Sequence, residues 1–269
     1  MMHIVRPSRV LGILFVLGAG AVVACGGDST GGGGGGDGAD KFGSAPGVTT
    51  VIGNGKGGQA YVTPDGADDC LDILGECVKP QEKCGEGSRA DVIVDSNGKV
   101  VEVVCYPGDE APPVVDGEGD VDLDKQNKGV VAVDGIADGV DIEGNVTAAG
   151  NNVTVYGEGP DVSVLGGDVT ATGNNFSMRG VTVKGDVAIT ANNGTLVLAV
   201  IEGDVVYTGN NFVMAETVVL GNVTITGNNA KLLGNSIAGT LTVNGKESLC
   251  DGNRQRLADG ALGDPLTCK

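Results

Sequence analysis

The chain reads as an all-β protein whose C-terminal half winds into a parallel β-helix of 18-residue coils, preceded by a small disulfide-stapled β module. Three observations carry this reading. Short Gly-led triplets recur at fixed spacing: Gly167-Asp168-Val169, Gly185-Asp186-Val187, Gly203-Asp204-Val205, Gly221-Asn222-Val223 and Gly239-Thr240-Leu241, each 18 residues after the last. Shortly after the Gly of each repeat comes an Asn pair: Asn151-Asn152, Asn174-Asn175, Asn192-Asn193, Asn210-Asn211 and Asn228-Asn229. Between these marks lie short alternating β-branched runs and no helix-period stripe of useful length, as expected for strands with alternate residues inward.

Residues 1–24 read as an export signal. Arg6 and Arg9 make a short basic region, and Val10 to Val23 is an uncharged, mainly apolar stretch. It is shorter than the roughly 20 apolar residues a bilayer-spanning helix needs. It ends in Val22-Val23-Ala24-Cys25, a run that resembles the bacterial lipobox. That resemblance implies a diacylglycerol on Cys25, palmitate-type acylation and a stable membrane anchor, because a lipoprotein Cys carries two or three chains. Gly26 stands where some bacteria read Asp as an inner-membrane retention signal, so outer-membrane or cell-surface residence is expected.

Export permits disulfides. Setting Cys25 aside leaves six candidates, Cys70, Cys77, Cys84, Cys105, Cys250 and Cys268, an even number that suits three bridges. Without Arg6 and Arg9 the chain carries 15 basic and 35 acidic residues, a net of −20. This disfavours nucleic acid and anionic membrane surfaces as partners. The single His, His3, falls in the export signal and there is no Trp. The exported chain therefore lacks the commonest general acid/base and metal-ligating side chain.

Residues 25–46 comprise the acylated Cys and a Gly-rich tether with six consecutive glycines at 31 to 36. As a flexible coil it reaches about 25 Å. Residues 47–106 read as the Cys-rich module. Val48 to Ile52 and Ala60 to Val62 are β-like runs, and Asp91 to Val104 reads as a hairpin turning at Ser96-Asn97-Gly98. Four Cys in so small a module substitute for a core it cannot build alone. The expected pairing is Cys84–Cys105 at the hairpin base, with Cys70–Cys77 beside it. Residues 107–117, with Pro107, Pro112 and Pro113, read as a stiff linker.

The β-helix is expected over 118–245. In the coil at Gly167 the inward pairs are Val169/Ala171, Phe176/Met178 and Val181/Val183; at Gly203 they are Val205/Tyr207, Phe212/Met214 and Thr217/Val219. Gly144-Asn145-Val146 precedes the next copy by 23 residues, placing an insertion around Gly157 to Asp161, and a degenerate first coil starts near Gly119. A coil alone has nothing to pair with; stacked coils form parallel ladders about 4.8 Å apart around one apolar column. Seven coils make a rod roughly 30 Å long. The region resembles right-handed parallel β-helices in general, bacterial repeat proteins with Gly-x-Asn-Asn coils in particular, and more distantly bactofilins. The resemblance spans about 125 residues and implies architecture, not activity. Residues 246–269 break the pattern and read as a cap closed by Cys250 and Cys268, which argues against filament formation by exposed end coils.

The ten paired asparagines are expected to form a structural ladder, since Asn tolerates left-handed backbone and bonds the main chain. The same turn-plus-strand reading covers N-x-S/T triplets such as Asn175-Phe176-Ser177. Asp168, Asp186 and Asp204 form a second column. Their close approach is relieved either by water or by Ca²⁺, and they are the metal candidates; Asp251-x-Asn253, at the start of the terminal loop, resembles an oxygen-rich calcium loop but is interrupted by Arg254 and Arg256 and reads as part of the cap, and no cofactor is expected. Outward strand positions carry Thr147, Thr170, Ala188, Val206, Thr224 and Thr242, none a catalytic acid. Glycoside hydrolysis needs paired carboxylates. A second column, Thr172, Thr190, Thr208 and Thr226, resembles the flat faces of ice-binding proteins, but Ala188 and Val206 interrupt the array. The expectation is a non-enzymatic, membrane-anchored envelope lipoprotein with a structural or adhesive role, engaging envelope polysaccharide or a cell-surface partner. The alternative is a polysaccharide-binding or polysaccharide-cleaving β-helix.

Overall fold

The computed structural model describes residues 48–53, 59–62, 70–73, 76–85, 88–106, 114–115, 120–123, 130–133, 142–157 and 163–268. The export signal, Cys25 and the tether lie outside them, as do residues 158–162 of the expected insertion. All described residues belong to one compact unit, Ala39–Lys269.

The Cys-rich module holds β1 (Val48–Gly53), β2 (Gln59–Val62), β3 (Leu71–Ile73), β4 (Glu76–Val78), the short helix α1 (Pro80–Cys84), β5 (Arg89–Val94) and β6 (Val100–Tyr106). Its main sheet runs β2-β1-β5-β6. β1 is antiparallel to β2 but parallel to β5. β5 and β6 form the expected hairpin. Its turn places Gly98 at φ 83°, while Gly98 N–H donates to the Asp95 carbonyl (2.9 Å) and Asp95 N–H to the Lys99 carbonyl (2.9 Å). This is a three-residue loop ending in a left-handed Gly, a common hairpin closure. Disulfides join Cys70 to Cys77 and Cys84 to Cys105. The first staples β3 to β4 and the second ties α1 to β6.

The rest of the chain is a parallel β-solenoid with three faces. First-face strands are Val121–Asp122, Val146–Ala148, Val169–Ala171, Val187–Thr190, Val205–Thr208, Val223–Thr226 and Leu241–Asn244, stacked in that order. Second-face strands run from Val114–Val115 to Leu249–Asp251, and third-face strands from Val164–Leu165 to Arg254–Arg256. Register advances by one coil at each step, as in Val187↔Val205↔Val223↔Leu241. The longer step, Thr154↔Ser177, lies before the third-face pairing Val164↔Thr182, so the insertion falls between the second and third faces.

Inward residues form one apolar column from Leu123 to Val243. Volumes are matched between coils. Tyr207 stacks on Phe212 with ring centroids 4.1 Å apart, and its ring reaches the place where a Cβ on Gly194 would stand, 2.5 Å from Tyr207 Cε2. Gly194 is thus the small partner that a large neighbour requires.

Two expected boundaries shift. The linker 107–117 contributes a rung, because Val114–Val115 pairs in parallel with Ala132–Val133; two β-branched residues after a Pro pair extend an open parallel edge. The helix does not stop at 245. Leu249–Asp251 and Arg254–Arg256 complete the coil begun at Gly239. There Lys246-Glu247 replaces the Asn pair and still fills its backbone roles: Lys246 N–H donates to Asn228 Oδ1 (2.9 Å) and Glu247 takes φ 58°. The cap proper is 257–268. Leu262–Pro265 returns antiparallel to Arg254–Arg256, Cys250 is bonded to Cys268, and Leu266 and Cys268 pack on the end of the apolar column.

The module sheet lies on the second face. Alternation along its strands splits its side chains into two sets. Val92 and Val94 of β5 pack with Ile73 and Val78 of the β3–β4 hairpin. Ile52, Ile93, Val104 and Tyr106 pack instead on Tyr156, Val197, Val213, Ala215 and Leu233, the outward side chains of the second face. The module completes its core with the solenoid.

Candidate binding face

Coil-to-coil side-chain ladders set the corners of the rod. At the corner leading into the first face, Oδ1 of each Asp or Asn accepts the backbone N–H one coil on. The bonds are Asn145 N–H to Asp120 (2.8 Å), Asp168 to Asn145 (2.8 Å), Asp186 to Asp168 (2.8 Å), Asp204 to Asp186 (2.7 Å) and Asn222 to Asp204 (2.7 Å). Where the acceptor is a carboxylate these bonds are charge-assisted. Among the described residues no group of three or more His, Cys, Asp or Glu side chains comes together in a metal-binding arrangement.

The Asn pairs stand at the corner between the first and second faces, and their two members act differently. Asn151, Asn174, Asn192, Asn210 and Asn228 accept from the backbone N–H of the next coil at 2.8–3.1 Å. Asn152, Asn175, Asn193, Asn211 and Asn229 have φ of 62, 58, 59, 60 and 60° and bond one another at shorter range than the 3.2–3.3 Å amide contacts among Asn174, Asn192, Asn210 and Asn228. Nδ2 of each donates to Oδ1 of the one before, at 2.6, 2.8, 2.9 and 3.1 Å in order. The left-handed backbone that suits Asn explains the pair's second position.

A third ladder, at the corner between the second and third faces, escaped the sequence reading. Thr217, Asn235 and Asn253 are buried. Thr217 N–H donates to Asn235 Oδ1 (3.0 Å), Asn235 Nδ2 to Asn253 Oδ1 (2.8 Å) and Asn253 Nδ2 to the Leu232 carbonyl (2.7 Å). Its only sequence signal is the 18-residue spacing of three residues of two types. Asn253 therefore closes an internal amide stack rather than opening a terminal loop.

Polar clasps fix the module to the second face. Arg179 is buried with Asp91: Nε donates to Oδ2 (2.8 Å) and Nη2 to Oδ1 (3.2 Å). Nη2 also donates to Thr50 Oγ1 (3.2 Å), and the guanidinium lies 5.2 Å from the Tyr156 ring centroid. Burial works against the Arg179 charge, but the Asp91 carboxylate and the neighbouring Tyr156 and Tyr106 together outweigh it and raise the Arg179 pKa. Burial, then the Asp91 charge, pushes the Tyr106 phenol well above its usual range. Further along, Lys231 Nζ and Lys83 Nζ each lie 2.7 Å from a Glu102 carboxylate oxygen. Partial burial acts to raise the Glu102 pKa, but the two lysines more than reverse this and lower it. At the hairpin tip, Ser96 N–H and Oγ donate to Asp251 at 2.6 and 3.0 Å.

With the second face covered and the third face carrying strands of only two or three residues, the first face is the broad surface left bare. Thr147, Thr170, Ala188, Val206 and Thr242 are exposed, Thr224 is half-buried, and the parallel column Thr172, Thr190, Thr208 and Thr226 is exposed. Val206 is 45% exposed. None of these side chains is charged, in a chain of formal net charge −18. At about 4.8 Å per rung and roughly 7 Å per outward pair, the face spans a few hundred Å². That is under half the ~800 Å² per partner of a standard protein–protein interface. Comparison with family models, curated proteins and solved structures finds no match to this chain.

Proposed function

We propose that the protein is a non-enzymatic lipoprotein of the bacterial envelope, anchored through Cys25, with a structural or adhesive role in which the bare first face makes the contact. The observation that carries the reading is that face: seven strands long, lined from Thr147 to Thr242 by Thr, Ala and Val, with Asn244 on the last strand and, among the described residues, a single charged side chain, Asp122, on the first, all on a strongly acidic chain. Its contact area suits an extended chain or a repetitive surface better than a globular partner. The Asp column beside it accepts backbone N–H groups from coil to coil, and Arg179, Asp91 and Tyr106 are sealed under the module. These features favour a scaffold over the runner-up, a polysaccharide-cleaving β-helix.

Two measurements test the reading. Radiolabelled palmitate should enter the wild-type protein in cells and not the Cys25→Ala variant. Purified protein should bind isolated envelopes saturably, weaken about tenfold in Val206→Glu, and release no reducing ends from uronate or neutral glycans. Depolymerisation of any glycan, or envelope binding indifferent to Val206→Glu, would overturn it.

A further inference from the structure

A groove of about 540 Å³ runs beside the left-handed Asn column. Asn193, Asn211 and Asn229 line it, with Glu247 beyond them and Glu102 and Lys231 also on its walls. We propose that this groove binds a short stretch of neutral glycan, whose hydroxyls bond the amide column and its unfilled end at Asn229 and Glu247. The site is separate from the first-face contact and does not depend on it.

The argument begins with the amide inventory. An Asn side chain offers two N–H donors and two carbonyl lone pairs. Within the column, Asn193 and Asn211 each spend one donor on the preceding Oδ1 and one lone pair on the following Nδ2. One donor and one acceptor per coil stay uncommitted in these ladder bonds, repeated at about 4.8 Å. A sugar hydroxyl, at once donor and acceptor, matches that alternation.

The column is also directional. Every Nδ2 points toward the N-terminal end, so the chain of bonds ends on Asn229 Oδ1. One coil on stands Glu247, which as a carboxylate can only accept. The ladder stops there, with two acceptors in succession and no donor between them. Aligned amides polarise one another, which makes the terminal carbonyl a stronger acceptor than an isolated one.

Charge selects against ionic ligands. Lys231 on the wall and Lys83 behind it both pair with Glu102, so with Glu247 two lysines stand against two carboxylates. The groove is neutral on an acidic protein, so an anion gains no net attraction and a cation must compete with two lysines. Its volume falls within the ordinary range for small-ligand pockets. No aromatic ring lines it, so stacking is missing and affinity should be weak, roughly millimolar.

The test is a titration of the ¹⁵N-labelled full chain with neutral trisaccharides from chitin, cellulose, starch and mannan, following the side-chain amides of Asn193, Asn211 and Asn229. At least one trisaccharide should shift all three saturably. Glu247→Lys places a donor opposite Asn229 Oδ1 on an exposed residue and should weaken binding about tenfold, the worth of one hydrogen bond to a charged group. Val206→Glu should leave it unchanged, so failure here and failure of the first-face reading are read separately. No saturable shift up to about 50 mM, well above the affinity expected, overturns the proposal. So does affinity indifferent to Glu247→Lys, or a Gly-rich peptide that shifts the three amides when no saccharide does.

Discussion

The Arg179 guanidinium and the Asp91 carboxylate are each about 1% exposed, and they come from opposite halves of the fold. Desolvating both costs several kcal/mol, offset here by paired hydrogen bonds, Thr50 and the Tyr156 ring. Removing one partner strands the other. Arg179→Ala is therefore expected to destabilise the protein by about 3–5 kcal/mol in urea unfolding. Replacing the pair together, Arg179→Met with Asp91→Leu, should recover most of that loss. Glu102 adds a pH-dependent clasp. Its folded pKa is lowered from the ordinary 4.5, so its contribution is full above that value and is lost as pH falls through the depressed one. The denaturation midpoint should decline below about pH 4.5, and Glu102→Gln should flatten that part of the profile. Neither role was legible beforehand: Asp91 looks like the first residue of a hairpin strand, and Arg179 like an ordinary outward residue of a coil.

At the scale of elements, the coil length, the three-strand coil, the hairpin and the Asn turns were all written in spacing and β-branched alternation. The strand ends of the repeat were harder to read. Coil closure through Arg256 was hidden because Lys246-Glu247 satisfies the turn by backbone bonding and left-handed φ, with no Asn to mark it. The docking of the module was hidden because β-branched residues serve both solvent-facing and buried strands. A signal was present nonetheless. Asp91-Val92-Ile93-Val94 is apolar on both faces after its first residue, the mark of a strand covered on both sides. On the second face, Val197, Ala215 and Leu233 stand apolar in register, where the first face shows Thr. The cap makes a separate prediction. The Cys250–Cys268 bridge spans 18 residues and should contribute about 2–4 kcal/mol. Replacing both Cys with Ser should lower the unfolding midpoint accordingly and free the last rung as an open edge. Size-exclusion chromatography should then show end-to-end association that the wild type lacks.

Across the whole molecule, the rod and the module share a core, and that sharing decides which surface is free. A bare solenoid would offer two broad faces; the module sheet covers one of them and leaves the Thr-rich face outward. Both proposed contacts depend on this division, since the amide groove exists only where β6 runs beside the Asn column. Single Cys substitutions on the two faces test the division most directly, by their rates of maleimide labelling in the native protein. Val206→Cys should label at the rate of an exposed thiol, and Ala215→Cys, beneath Ile52, Ile93 and Val104, should be protected until the protein unfolds. Equal labelling rates at the two positions under native conditions would contradict the shared core and the assignment of the first face as the surface left for function.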